Sequence, residues 1–110
     1  MKSNEALSVL AALAQETRLA IFRRLVRAGL EGETAGAIAA ALDIPAPTLS
    51  FHLKELERAG LIVQRRESRN LIYAIRAERI RELLAFLMKD CCRGRPEICN
   101  VAIKDCCDAG

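Results

Sequence analysis

Between positions 43 and 47 the chain reads Asp-Ile-Pro-Ala-Pro, and this run constrains the fold more than any other stretch. Pro45 and Pro47 bar a helix from passing through them, because each lacks a backbone N–H and crowds the preceding turn. Pro47 nevertheless suits the first turn of a new helix, where the absent N–H is not missed. One helix must therefore end before Pro45 and another begin at Pro47, with a turn of about four residues between them. On the near side Thr34 is placed to cap a short, alanine-rich helix from Ala35 to Leu42, slim enough for a neighbour to approach closely, and Asp43 turns the chain. On the far side the helix runs from Pro47 to Ala59 and Gly60 stops it. Its Leu49, Leu53 and Leu56 form a buried stripe, leaving Thr48, Ser50, Phe51, Lys54 and Arg58 on other faces.

The remaining elements surround this pair. Asn4 or Ser3 is placed to cap a first helix in which Leu7, Leu10, Leu13 and Ala14 recur at helical spacing. A second helix starts at Thr17, carries the stripe Ile21, Phe22, Leu25 and Val26, and ends at Gly29. After Gly60, Leu61 to Arg66 and Leu71 to Ile75 are rich in β-branched residues and are joined by Glu67-Ser68-Arg69-Asn70, which reads as a hairpin with a basic tip. A last helix begins near Ala77 or Glu78, with Ile80, Leu83, Leu84 and Leu87 as its seam. With Phe 3, Tyr 1 and no Trp among 110 residues, the core is aliphatic, which favours helices. The expected fold is mainly α with a β-hairpin, an α+β arrangement of a single domain. The polar opening Met1 to Glu5 and the lack of any apolar run near the roughly 18 residues of a membrane span predict a cytoplasmic protein with no membrane partner.

A short helix, a tight turn, a second helix with polar residues near its start and then a basic hairpin follow the order of a winged helix-turn-helix. A helix fits the major groove, and a hairpin tipped with Arg can straddle the adjoining backbone. The charge agrees. Residues 1–44 are neutral, whereas residues 45–81 carry Lys54, Arg58, Arg65, Arg66, Arg69, Arg76, Arg79 and Arg81 against Glu55, Glu57, Glu67 and Glu78. Double-stranded DNA is the expected partner. Ser50 and Lys54 are the foremost contacts, with Pro47, Thr48 and Phe51 beside them, and Phe51 is suited to a thymine methyl. Arg65, Arg66 and Arg69 are the wing candidates, Arg69 foremost at the tip. A protein-binding module is the competing reading, and an enzyme is opposed by the lack of a Cys-x-x-Cys pair, a Gly-rich nucleotide loop or a βαβ pattern.

From about Leu7 to Met88 the chain resembles the ArsR/SmtB family of metal-responsive repressors. The resemblance rests on Leu13-Ala14-Gln15-Glu16-Thr17-Arg18-Leu19, on Ser50-Phe51-His52-Leu53-Lys54-Glu55-Leu56, and on Ala59-Gly60-Leu61-Ile62-Val63-Gln64-Arg65-Arg66 through Tyr73. It implies a homodimer built by the first and last helices, a recognition helix from Pro47 to Ala59, and repression of an operator relieved by an effector. The chain departs from relatives in two respects: Pro45 stands where a capping Ser or Thr is common, and Ala46, Pro47 and Phe51 occupy the base-facing region, so hydrogen-bond readout is sparse. His52, the only histidine, is read as a packing or backbone-bonded group and not as a metal ligand.

The Cys-x-Cys pair that some relatives carry in the first helix of the helix-turn-helix is absent from Glu33 to Ile38, and no histidine lies between Ala77 and Lys89 for a zinc site on the last helix. All five cysteines fall between Cys91 and Cys107. Cys91-Cys92 followed by Cys99 resembles the arsenic-responsive members, whose three cysteines lie just beyond the last helix, and this resemblance implies As(III), with Sb(III) as a chemical equivalent, as effector. The chemistry agrees, because trivalent arsenic is thiophilic and takes three thiolates in a pyramid, whereas hard cations prefer oxygen. On a continued helix Cys92 is turned about 100° from Cys91, and Gly94 and Pro96 let the chain fold back to bring Cys99 to the pair. Lys89, Arg93 and Arg95 favour thiolate over thiol. Cys106 and Cys107 are read as part of a chain end without a metal role, with a second site, a replacement for Cys99 or a metal buffer as the alternatives. A tetrahedral zinc or cadmium site and redox sensing remain alternatives for the same thiols. The organisation expected is a DNA-binding and dimerisation domain over 1–89 and a cysteine-rich metalloid-binding tail over 90–110.

Overall fold

The computed structural model describes residues 1–89, so Cys91, Cys92, Cys99, Cys106 and Cys107 lie outside the described residues. Five helices and a three-stranded sheet follow in the order α1 Ser3–Leu13, α2 Glu16–Ala28, a 3₁₀ turn Gly29–Glu31, β1 Glu33–Thr34, α3 Ala35–Leu42, α4 Ala46–Arg58, β2 Ile62–Glu67, β3 Asn70–Ile75 and α5 Ala77–Leu87. The winged helix-turn-helix expected from the sequence is present, with α3 and α4 as its two helices and β2–β3 as its wing. Among the described residues, no helix is long and apolar enough to cross a membrane.

Local chemistry explains the element ends. Thr34 Oγ1 accepts from Ala37 N at 3.1 Å and so caps α3, while Asp43 takes the left-handed conformation (φ 53, ψ 53) that ends it. Pro45 is the N-cap of α4, whose first turn contains Pro47. At the far end Gly60 takes φ 81, Gly60 N donates to Glu57 O and Leu61 N to Leu56 O, the paired bonds of a Schellman stop. Three starts differ from expectation, α4 by a single residue, since it begins at Ala46 instead of Pro47. Lys2 is the N-cap of α1, its N–H bound by Glu5 Oε1 at 2.9 Å, so Ser3 and Asn4 are already helical. The second helix begins at Glu16, because Gln15 Oε1 reaches back to Arg18 N at 2.8 Å and caps it ahead of Thr17.

The core is a layer in which Val9 of α1, Ile21 and Leu25 of α2, Ile38 of α3 and Leu49, Leu53 and Leu56 of α4 meet Leu61 and Ile62 at the root of the wing, all essentially fully buried. Each such side chain contributes roughly 1.5–3 kcal/mol relative to exposure. The first helix buries Ala6, Val9 and Ala12, whereas Leu7 and Leu10 of its expected stripe point outward. On α5 Leu83 is buried, but Leu84 and Leu87 are half exposed. Two edges of unspent apolar surface thus lie on the first and last helices.

The sheet runs β1-β3-β2, all antiparallel, with β3 central. In the wing Arg65 pairs with Ile72, Arg66 with Leu71 and Glu67 with Asn70, which leaves Ser68-Arg69 as the turn. The two-residue β1 was not expected. It places Glu33 opposite Tyr73 and Thr34 opposite Ile72, stitching the entry to α3 onto the wing.

Gly32 makes that stitch possible. Its φ 75, ψ −167 falls where only glycine is at ease, and a Cβ there would stand 2.2 Å from Tyr73 O. Gly29 shares the conformation (φ 75, ψ −160), with open space around its would-be Cβ. Gly32→Ala is therefore expected to destabilise by at least about 2 kcal/mol, from strain plus the collision, and Gly29→Ala by the strain alone, roughly 1–2 kcal/mol. Urea midpoints of the two variants, compared with the parent, measure both.

Candidate nucleic-acid interface

Helix α4 divides cleanly. Leu49, His52, Leu53 and Leu56 face the core, while Pro47, Thr48, Ser50, Phe51 and Lys54 are exposed. Positions 47, 50, 51 and 54 share one side of the helix, so the structure gathers the base-reading candidates on a single outward face. Phe51 is 56% exposed there, a large apolar ring among small polar groups.

Behind that face sits His52, 8% exposed. Its Nδ1 lies 3.3 Å from Arg18 Nη1, and since a guanidinium can only donate, the ring nitrogen accepts. Arg18 Nε donates to Ala12 O at 2.7 Å, so one arginine joins the end of α1 to the recognition helix. His52 is thus a buried structural group, as expected, but its partner is a side chain instead of the backbone. Burial and the Arg18 charge hold its pKa below the ordinary 6.5, against the opposing pull of Glu55. The unfolded chain then binds the proton first, so the stability His52 contributes is whole above pH 6.5 and is lost as the pH falls from there through the folded value. Urea midpoints between pH 7.5 and 5 should decline more steeply for the parent than for His52→Gln, which keeps an acceptor but cannot titrate.

The wing separates its arginines by role. Arg65 is held by three acceptors of its own chain: Glu67 Oε1 at 3.0 Å, Leu30 O at 3.3 Å and Glu31 O at 2.7 Å. It fixes the wing to the 3₁₀ turn, and its charge is already met. Arg66 and Arg69 are exposed and make no ion pair among the described residues, with Arg69 in the turn beside Ser68, which takes φ 57. Lys54 is likewise unpaired among the described residues. Of the other basic residues in this stretch, Arg58 pairs with Glu55 at 3.5 Å, and Arg79 meets Glu5 at 3.3 Å, Glu82 at 3.4 Å and the carbonyl of Ala59 at 3.4 Å. The cationic surface left for phosphate is therefore Lys54, Arg66 and Arg69, with Arg76 and Arg81 towards α5.

Sequence reasoning missed the work of Arg18, Arg24 and Arg65. Arg24 forks onto Glu33, with contacts of 2.7 and 2.8 Å, and ties α2 to β1. Nothing in local periodicity announces a bond between residues 34 apart, as Arg18 and His52 are.

Residues 13–65 match a family described as a helix-turn-helix domain. An uncharacterized HTH-type transcriptional regulator, YceK of Bacillus subtilis (strain 168), is 37% identical over 67 residues, which take in 61% of this chain and 66% of that one, just under two thirds of its length. An ArsR-like transcriptional regulator from Rhodococcus sp. RHA1 superposes with a TM-score of 0.72 at 25% identity, covering 93% of this chain and 92% of that one. Reduced HlyU from Vibrio cholerae N16961 superposes at 0.61 with 33% identity, over 79% of this chain and 92% of that one. This chain belongs to the ArsR-type winged-helix transcriptional regulators. Within that group, the possible ArsR-family regulator Mb0332 from Mycobacterium bovis is described as a homodimeric winged helix-turn-helix DNA-binding domain (29% identity, TM-score 0.62, 77% of each chain). Another solved structure is described as a possible transcriptional regulator for arsenical resistance (26% identity, TM-score 0.63, 73% of this chain and 80% of that one). The outward face of α4 in this ArsR-type chain is accordingly its candidate DNA-reading surface.

Proposed function

We propose that the chain is a cytoplasmic, homodimeric repressor of an arsenic-resistance operon, released from operator DNA when As(III), or Sb(III) by the same chemistry, binds Cys91, Cys92 and Cys99. The observation that carries the effector assignment is where the sulfur lies. All five cysteines follow α5, and among the described residues no group of three His, Cys, Asp or Glu is placed to hold a metal ion. The neighbour described as a possible regulator for arsenical resistance supports the choice of arsenic. The homodimeric neighbour supports assembly, as do Leu7 and Leu10 on α1 and Leu84 and Leu87 on α5, half exposed or more so except Leu10.

In a twofold dimer the two α4 helices enter major grooves about 34–36 Å apart. Capture of the effector next to the dimerisation helix biases the dimer toward a spacing that no longer fits. A 100-fold fall in operator affinity corresponds to a coupling of about 2.7 kcal/mol, and operator DNA must weaken arsenite binding by the same factor.

Thiol counting tests the ligand set. The reduced apo chain presents five reactive thiols, and saturation with arsenite should protect three of them, leaving two. Protection only by zinc or cadmium, or mass loss from disulfide formation on mild oxidation without arsenite protection, would replace arsenic by the tetrahedral-metal or redox reading.

A further inference from the structure

We propose that this chain tells its operator from other DNA chiefly through thymine methyl groups, and that Phe51 is the residue that reads them, one thymine in each half-site. The inference rests on the DNA-binding reading of the α4 face and adds what that face recognises.

Purines are read in the major groove by side chains that make two hydrogen bonds at once, Arg or Lys to guanine and Asn or Gln to adenine. From Ala46 to Leu53 the recognition helix has none of these residue types, and the first is Lys54, in its third turn. The hydroxyls of Thr48 and Ser50 serve either base and discriminate weakly. What the first turns do offer is apolar surface. Phe51, at 56%, is the exposed large hydrophobic residue of α4 among the described residues, and Ala46 and Pro47 are exposed alongside it. The thymine methyl is the feature of the major groove that such a surface distinguishes.

The Phe51 ring is also braced from within the protein. Its centroid lies 5.3 Å from that of His52 at an interplanar angle of 67°, an edge-to-face contact. His52 is held by Arg18, and Arg18 by the carbonyl of Ala12. A ring already supported on one side loses less freedom when a base covers the other. His52 and Arg18 are therefore positioning residues for the readout.

The test begins with duplexes selected from a random pool by the full-length reduced protein, followed by replacement of single thymidines with deoxyuridine, which removes the methyl and keeps every hydrogen-bonding group. Losing one buried methyl should weaken binding roughly fourfold, and losing both symmetry-related methyls roughly fifteenfold. The thymine-to-uracil ratio should hold steady as salt is raised, while total affinity falls steeply with the phosphate contacts. In Phe51→Ala the ratio should drop to one, in Phe51→Leu it should be partly kept, and in His52→Gln it should shrink although Phe51 is present. Circular dichroism confirms that each variant is folded. Equal binding of thymine and uracil duplexes by a protein that still selects DNA would overturn the inference and leave the DNA-binding reading intact. Discrimination that survives in Phe51→Ala would overturn the assignment to Phe51. Failure to enrich any duplex, with no salt-dependent binding, would overturn both.

Discussion

The double variant Cys91→Ser, Cys92→Ser is expected to bind operator DNA as the parent does and to remain bound at arsenite concentrations that release the parent. Trivalent arsenic is held by three thiolates, and the variant keeps only Cys99 of the proposed set; a single thiolate cannot replace the chelate. The full release effect, on the order of 100-fold or about 2.7 kcal/mol, should therefore vanish. Operator affinity should persist because the residues proposed to contact DNA lie elsewhere. Ser50, Phe51 and Lys54 stand on an α4 face set by Leu49, Leu53 and Leu56, and Arg69 sits in a wing fixed by Arg65. Cys106→Ser, Cys107→Ser should release normally, which separates the two groups of thiols. Loss of DNA binding in the Cys91, Cys92 variant would instead make those residues structural.

A larger change in operator affinity is expected from Leu10→Lys, Leu84→Lys. Leu7 and Leu84 are 66% and 50% exposed, with Leu10 and Leu87 close by on the same two helices. The core does not need these side chains, and burying them against a second copy contributes up to roughly 1.5–3 kcal/mol each. Two lysines per protomer, brought together with their symmetry mates, oppose that burial with unpaired charge. The variant should fold, sediment as a monomer, and lose roughly 10²–10⁴-fold in operator affinity, because each recognition helix then binds without the tether of its twin. A dimer that survives would move the interface to another face, the outer side of α2 with Leu19 and Val26, continued by Leu30 of the 3₁₀ turn, being the alternative apolar surface.

These two predictions draw on features of unequal legibility. The helix-turn-helix was readable because Pro45, Pro47 and Gly60 punctuate it through backbone chemistry that tertiary context seldom overrides. The wing was readable because its two β-branched runs flank a polar turn, and Ser68-Arg69 does form the turn. On α1 the recurring Leu7 and Leu10 mark an apolar face that turns outward, while the smaller Ala6, Val9 and Ala12 pack in the core. Periodicity shows that a face is apolar but not which body covers it. Strand β1 has two residues and no pattern, and it exists because Gly32 lets the chain lie against Tyr73. That Pro47, Ser50, Phe51 and Lys54 share one exposed face of α4 was legible from helical phase alone. The wing arginines were not, since whether Arg65 is occupied by Leu30 O and Glu31 O depends on a fold that brings residues 34 and 35 apart together.

The proposed function joins a DNA reader to a three-thiol effector that breaks its hold. Fluorescence anisotropy of the reduced full-length protein on a duplex from its own promoter, titrated with arsenite and separately with zinc, tests both halves at once. Tight, salt-sensitive binding that arsenite reverses and zinc does not is the predicted result. Binding that arsenite leaves untouched would contradict the effector assignment, and the absence of any binding would contradict the DNA-reading role of α4.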